Sequence, residues 1–375
     1  MLPLEGLVVL DLTRAVSGPL CTMNLGDLGA RVIKIEEAGR GDETRQWGPP
    51  FIGDTATYFL SVNRNKESVA ADLKNPADLE LVRRIATKSD ILIENFRPGV
   101  MDRLGLSYAA LSELNPRLIY ASISGFGQDG PDREKPGYDL IVQAMSGLMR
   151  VSARPGGPPA KSAFPVSDVL TALYTGQAVL AAAHRRSQTG RGSYIEVALL
   201  ECLLASMTAI TGSYLMSGVE PGPMGAGQAN ITPYQIFDTA DQEIVIGVTN
   251  ERIWQRFCAA VDKPEWLADP RYDTNSARTV NRPDMVADIE ALLATQPAAH
   301  WLGCLEAAGV PCGAVNKMAQ IMEHRQVTAR GAVVDVEGLR QTACPMRFDG
   351  VQPRYKRPQA LGEATEAIRA EFCPG

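Results

Sequence analysis

Leu7-Val-Val-Leu-Asp-Leu12 and Arg31-Val-Ile-Lys-Ile-Glu36 bracket the stretch whose reading decides the fold. Each is a short apolar run rich in β-branched residues, the pattern of a buried strand. Between them a turn at Arg14–Gly18 leads into apolar positions at Leu20, Leu25 and Leu28, whose spacing predicts a helix. A helical crossover returns the chain to the same end of a sheet, so the two strands are expected to run parallel. Moving outward, the pattern repeats. Residues 77–87 read as a helix, 90–94 as a strand, 98–104 and 108–115 as short helices, and 118–123 as a strand. The expectation is an α/β domain with a Rossmann-like, doubly wound parallel sheet.

The character changes after Gly190-Arg-Gly192. A strand over 194–197 runs into an apolar helix and then a Gly/Pro-rich stretch, 218–227. Strands over 234–237 and 243–248, followed by helices from 252 to about 309, predict a smaller α+β domain. The expected organisation is a large domain over 1–192 and 326–375, a linker over 193–232, and the small domain over 233–325.

Composition bounds the function classes. The chain has 375 residues, more than one hydrophobic core usually serves, with 45% apolar residues, 21% charged residues and a formal charge of −6. It has no basic tail or Lys/Arg run, so no nucleic-acid partner is expected. The apolar runs 169–183 and 197–216 are interrupted by Gln177, Glu201 and several Ser and Thr residues. They read as buried helices too short or too broken to span a bilayer, and no membrane partner is expected.

The first residues lack the basic and apolar regions of a signal peptide. Seven scattered cysteines without a C-x-x-C pair predict free thiols in a reducing compartment and no metal site. The expected location is cytoplasmic. Only His184, His300 and His324 are available, all in helical, surface-like contexts, which disfavours Ser-His, Cys-His and His-metal chemistry. The first strand is followed by Thr13-Arg-Ala-Val-Ser-Gly18, not G-x-G-x-x-G. A dinucleotide site is therefore disfavoured, although Glu36 stands where a ribose-binding acid would.

Asp168 is the most informative carboxylate. It lies in Ala163-Phe-Pro-Val-Ser-Asp-Val-Leu-Thr-Ala-Leu-Tyr174, with Pro165 and Ser167 leading in and an apolar helical pattern leading out. Ser167 is the expected N-cap. Asp168 then falls in the first turn, where free N–H groups and the helix dipole favour a negative charge and keep it ionised. Acids are common there for that reason alone, so other stretches must decide its meaning.

Those stretches are Val9-Leu-Asp-Leu-Thr-Arg14 with Ser17-Gly-Pro19; Leu28-Gly-Ala-Arg-Val-Ile-Lys-Ile-Glu36 with Gly41, Asp42 and Arg45; Asn65-Lys66; and Asp72-Leu-Lys74. Further on come Glu94-Asn-Phe-Arg-Pro-Gly99, Asn115-Pro116, Ser124-Gly-Phe-Gly127, Gly137-Tyr-Asp139 with Gln143 and Gly147, and Thr189-Gly-Arg-Gly192. In this order and spacing they resemble the family III coenzyme A transferases, the formyl-CoA transferase group, which share a fold with α-methylacyl-CoA racemases.

The resemblance implies a CoA-transferase that moves coenzyme A from an acyl-CoA donor to a carboxylic acid. It implies mixed-anhydride and aspartyl-CoA thioester intermediates on Asp168, and no cofactor beyond CoA itself. It implies Tyr138, Asp139, Gly225, Gly227 and Gln228 as active-site neighbours, the last three in a mobile loop whose glycine run is broken by Ala226. Arg14, Ala15, Lys74, Asn95, Phe96 and Arg103 would line the CoA groove, with Arg97 and Arg45 as further phosphate partners. Arg45 and Arg64 are candidates for holding a second carboxylate of the substrate. It also implies an interlocked homodimer, with 193–232 as the threading span.

The alternative within the resemblance is an acyl-CoA racemase or epimerase acting by α-proton exchange. Those relatives carry a histidine where this chain has Tyr138. A tyrosine hydroxyl ionises near pH 10, too high for an easy α-proton base, which favours transfer. Two positions depart from the formyl-specific pattern. Val16 replaces a glutamine, which counts against formyl or oxalyl substrates, and Glu37 replaces a basic residue beside the adenine.

Overall fold

The computed structural model describes residues 1–374. The chain forms two compact units. One comprises Met1–Leu148, Lys161–Val219 and Ala329–Gly375; the other comprises Met149–Ala160 and Glu220–Thr328.

The first unit is built on β1 (Val8–Leu12), β2 (Arg31–Glu37), β3 (Lys66–Ala71), β4 (Ile91–Glu94), β5 (Ile119–Ser124) and β6 (Ser193–Ala198). Their order across the sheet is 3-2-1-4-5-6, and every neighbouring pair is parallel. Successive strand side chains point to opposite faces, so each face carries its own core. Val9, Val32, Ile91, Ile93, Ile119 and Ala121 pack with Leu25, Ala172, Val179 and Leu203. These last belong to α1 (Ser17–Asp27), α4 (Val166–Thr189) and α5 (Leu199–Ser206). On the other face Leu10, Ile33, Ile35 and Leu92 pack with Leu81 and Ile85 of α2 (Pro76–Lys88) and with Ile368 and Phe372 near the C-terminus. Helices on both faces make the sheet doubly wound, as expected. The winding reverses between β1 and β4, and loops leaving the carboxyl ends of those strands diverge to leave a crevice.

Three corrections to the sequence reading follow. The expected linker over 193–232 is not one, because β6 pairs with β5 from Ile119↔Ser193 to Ser124↔Ala198 and forms the edge of the sheet. Its exposed Tyr194 and Glu196 gave it the half-polar pattern of a peripheral segment. Second, β3 was not expected as a strand. Its core-facing Lys66 and Ser68 break the apolar pattern, yet both are buried against partners, Lys66 on Asp11 at 3.0 Å and Ser68 on Glu36 at 2.7 Å. Third, α4 is an unbroken helix of 24 residues, by length and composition able to cross a bilayer, where the sequence reading saw a run too short or too broken. Its buried face, Ser167, Thr171, Thr175, Val179, Ala182 and Arg186, repeats at helical spacing and takes in Thr171 and Thr175, while Gln177 lies on the exposed face.

The outer edge of β3 is covered by the C-terminal segment. Asn65 N–H donates to the Lys356 carbonyl at 3.1 Å and Ala364 N–H to the Ser68 carbonyl at 2.9 Å, which removes an open strand edge.

The second unit has an antiparallel sheet of β7 (Tyr234–Asp238), β8 (Glu243–Gly247) and β9 (Cys312–Ala314), in the order 9-8-7. Phe237, Ile244 and Ile246 bury against Trp254, Phe257, Leu293 and Trp301 of its helices. The unit also recruits residues 149–160, through Met224 N–H to the Val151 carbonyl and Gly225 N–H to the Ala153 carbonyl, both 2.8 Å. Sequence reading had left that excursion in the large domain.

Candidate active site

The crevice at the carboxyl ends of β1 and β4 is a cleft of about 580 Å³, lined entirely by the first unit. One wall is the loop between β1 and α1. Buried Asp11 fixes it: the Thr13 N–H and hydroxyl donate to one carboxylate oxygen at 2.9 and 2.6 Å, and the Thr22 hydroxyl donates to the other at 2.6 Å. Burial pushes the Asp11 carboxyl up, but Lys66 and Lys34 outweigh it and hold the group well below the usual carboxylate range. Lys34 Nζ also donates to the Thr13 carbonyl at 2.7 Å. Ala15 has φ 64°, a left-handed conformation unfavourable for a residue with a Cβ. Gly18 packs so tightly on this loop that a Cβ there would lie 2.2 Å from Thr13 Cβ.

The β4 loop closes on the same wall. Asn95 accepts the Arg14 N–H at 2.9 Å and donates to the Arg14 carbonyl at 2.8 Å, while the Arg14 guanidinium lies over the Phe96 ring at 5.0 Å. Arg14, Ala15, Asn95, Phe96 and Arg97 thus converge on the cleft. Lys74 and Arg103 are exposed and do not line it, although Lys74 follows β3 on the same sheet edge.

Arg45 and Arg64 are not available to a ligand, which corrects both candidate roles. Arg45 is buried, bidentate on Glu36 at 2.7 Å for each bond, and stacked over Phe59 at 3.8 Å. Arg64 is bidentate on Asp27 at 2.8 and 2.6 Å and donates to the Thr342 carbonyl. The Glu36 carboxylate is consumed by Arg45, Ser68 and the Asp42 N–H, so it is no ribose acceptor.

Asp168 lines the same cleft beside Ser17, and two expectations about it change. The N-cap of α4 is Pro165, and Ser167 lies inside the helix. The capping acceptor comes instead from Asp139, first residue of α3 (Asp139–Met145), whose Oδ1 accepts the Ser167 N–H at 3.0 Å and its hydroxyl at 2.8 Å. Asp139 is itself buried, and its Oδ2 accepts from the Gln143 amide at 2.7 Å.

Nor is Asp168 firmly ionised. Burial, then the Asp139 carboxylate, push it up to about 6, against the opposing hydroxyl and N–H of Ser17. Ser17 opens α1, so two helix N-termini face one half-buried carboxylate. Tyr138, immediately before α3, presents an exposed ring to the cleft. Sequence reading missed Tyr58, which also lines the cleft. Burial and then Asp168 and Asp139 raise its hydroxyl pKa. Its only sequence signal was a lone tyrosine in a loop-like stretch.

Gly225, Gly227 and Gln228 belong to the second unit. There they line a separate cavity of about 600 Å³ with Arg154, Arg282 and Glu290. Arg282 donates to the carbonyls of Gln228, Ala229 and Ile231, which ties this glycine segment down within its own unit. Among the described residues no group of three or more His, Cys, Asp or Glu side chains is placed to hold a metal ion.

A doubly wound sheet with a cation-lined crevice at its switch point and a helix-presented carboxylate beside it is the arrangement of an α/β protein with a ligand cleft at the carboxyl ends of its strands. The chain belongs to CoA-transferase family III, whose model matches residues 4–365. It is 38% identical to the succinyl-CoA:glutarate CoA-transferase of Mus musculus, over 99% of this chain and 86% of that one. It is 39% identical to the acetyl-CoA:oxalate CoA-transferase of Acetobacter aceti, over 99% and 96%. A crystal structure of a CAIB/BAIF family protein from Brucella suis superposes with a TM-score of 0.90 at 38% identity, covering 99% of each chain. The protein is an enzyme of the CoA-transferase class.

Proposed function

We propose that transfer proceeds through covalent intermediates on Asp168. The carboxylate attacks the thioester carbonyl of the donor acyl-CoA, giving a mixed anhydride and the CoA thiolate. The thiolate attacks the aspartyl carbonyl of that anhydride, releasing the donor acid and leaving an aspartyl-CoA thioester. The acceptor carboxylate attacks this thioester, forming a second anhydride and freeing the thiolate again. The thiolate then takes the acceptor acyl group and restores Asp168. No net proton or electron is exchanged, and each step trades bonds of similar energy. The protein need only orient the partners, exclude water from the anhydrides and stabilise tetrahedral oxyanions.

One observation carries this reading: Asp168 sits half-buried at two helix N-termini with its pKa lifted to about 6. A carboxylate so placed is more nucleophilic than an exposed one yet remains largely ionised at neutral pH. No histidine lines the cleft among the described residues, which favours transfer over α-proton exchange. Arg14, Asn95, Phe96 and Arg97 are proposed to hold CoA along the β1 and β4 loops, with Lys74 and Arg103 reached by its outer end. Gly225, Gly227 and Gln228 stay proposed as active-site residues on the family resemblance alone.

The relatives named for glutarate and oxalate suggest dicarboxylic acids as substrates. A homodimer is also proposed, supported by Leu173 of α4 and by Leu215 and Met216 of the helix Ala209–Ser217, which leave apolar surface exposed. A cytoplasmic location is proposed on the cysteine pattern. The test is trapping. After incubation with acyl-CoA, hydroxylamine or borohydride should modify Asp168, as read by peptide mass spectrometry. Full transferase activity in Asp168→Ala would refute the mechanism.

A further inference from the structure

Lys161 is a cation in the Asp168 cleft to which neither the sequence reading nor the comparisons give a role. It lies on the segment that enters α4, on the nucleophile's side, whereas Arg14 and Arg97 lie on the β1 and β4 loops. Its nearest carboxylate oxygen is Asp139 Oδ2, 3.8 Å from Nζ and beyond hydrogen-bond range. That oxygen is already engaged by Gln143, and Oδ1 is engaged by Ser167. Among the described residues, the one hydrogen bond the Lys161 ammonium donates is to the Ser162 carbonyl, at 2.7 Å.

An ammonium has three donors, so two are without a protein acceptor among the described residues. The backbone beneath it is fixed, because Ser162 N–H donates to Gln143 Oε1 at 2.9 Å and Gln143 is fully buried. The side chain is 37% exposed, accessible yet partly desolvated, and such a setting makes a charge pair worth more than one in open water. Burial, Asp139 and Ser17 are the groups that shift the Asp168 carboxyl, and Lys161 is not among them. An anion from the substrate is the natural third partner.

We propose that Lys161 is a specificity-determining residue that pairs with the distal carboxylate of a dicarboxylic acyl group while the proximal carbonyl is bonded to CoA or to Asp168. This rests on the transfer mechanism above. It predicts that a dicarboxylic acid is preferred over its neutral-tailed analogue of equal length because of one ammonium.

The experiment compares glutarate with pentanoate as acceptors, and succinyl-CoA with butyryl-CoA as donors, using the full chain. In wild type the dicarboxylic member of each pair should have the higher kcat/KM. Lys161→Met should lower the glutarate-to-pentanoate ratio by about tenfold or more, mainly through KM for the acid. Lys161→Arg should restore most of it, and thermal melts should show both variants folded. An unchanged ratio in folded Lys161→Met would overturn the proposal, as would an equal rise in KM for every acyl-CoA, which would make Lys161 a CoA contact. A wild type with no preference for dicarboxylic acids would overturn it too, while leaving the transfer mechanism standing. Failure of that mechanism reads out separately, as absent label on Asp168 with any acid.

Discussion

Asp139 Oδ1 accepts hydrogen bonds from both the amide and the hydroxyl of Ser167, at 3.0 and 2.8 Å across 28 residues of sequence. The helix that presents Asp168 is therefore capped by a side chain from a different helix. The same carboxylate also lifts the Asp168 pKa, second only to burial. One group positions Asp168 and raises its basicity.

The two roles can be separated. Asp139→Asn keeps an acceptor for Ser167 but removes the charge, so the Asp168 pKa should fall and the acid limb of the rate profile should move to lower pH. Asp139→Ala also removes the cap, and a further loss of about 1–2 kcal/mol is expected. Thermal melts and pH–rate profiles of the two variants measure each role. Equal stabilities would refute the capping role.

If the proposed attack by Asp168 holds, transfer should fall on the acid side with an apparent pKa near 6, because that attack requires the ionised carboxylate. A profile flat down to about pH 4.5 would show that another group limits the rate.

The same shift has a stability consequence. Between the ordinary value of 3.8 and about 6 the folded chain binds more protons at Asp168 than the unfolded chain. Its contribution is therefore fully present below the lower value and lost as pH rises through the upper one. Asp168→Asn, which cannot ionise, should be more stable than wild type at about pH 8 by roughly 1–2 kcal/mol, with the gap closing in acid. Denaturant melts at both pH values measure this, and a variant less stable than wild type at the higher pH would contradict it.

Gly18→Ala places a Cβ 2.2 Å from Thr13 Cβ and must displace the loop that carries Arg14 and Ala15. A stability loss of about 1–3 kcal/mol is expected, together with a raised KM for acyl-CoA. Steady-state kinetics with saturating acid would reveal it. An unaltered KM would mean that this loop does not hold CoA.

Arg64→Met leaves buried Asp27 without its bidentate partner and should destabilise the fold by about 3–5 kcal/mol. The choice among acids should stay as in wild type for whatever protein remains folded. A changed acid preference would return Arg64 to the substrate site.

How much of this was legible in the sequence follows from the range of each signal. The strand at 8–12, the helix at 76–88 and the placing of Asp168 in a first turn rest on periodicity and local charge within a few residues, and they were readable. Arg14 and Asn95 stand out in the sequence only by ordered resemblance, because their mutual clasp joins positions 81 apart. Strand β3 hid behind Lys66, a residue that becomes core-compatible only once Asp11 lies beside it. Arg45 and Arg64 looked like free cations until Glu36 and Asp27 neutralised them.

The sequence by itself determined the alternation of strands and helices, the helix-start position of Asp168 and the family, because those are written in local pattern and order. Only the tertiary structure decided which charges are spent inside the fold, that Asp139 caps α4, and that burial and Asp139 push the Asp168 carboxyl up. Those properties arise from burial and from contacts between distant segments, and no local window of sequence contains either.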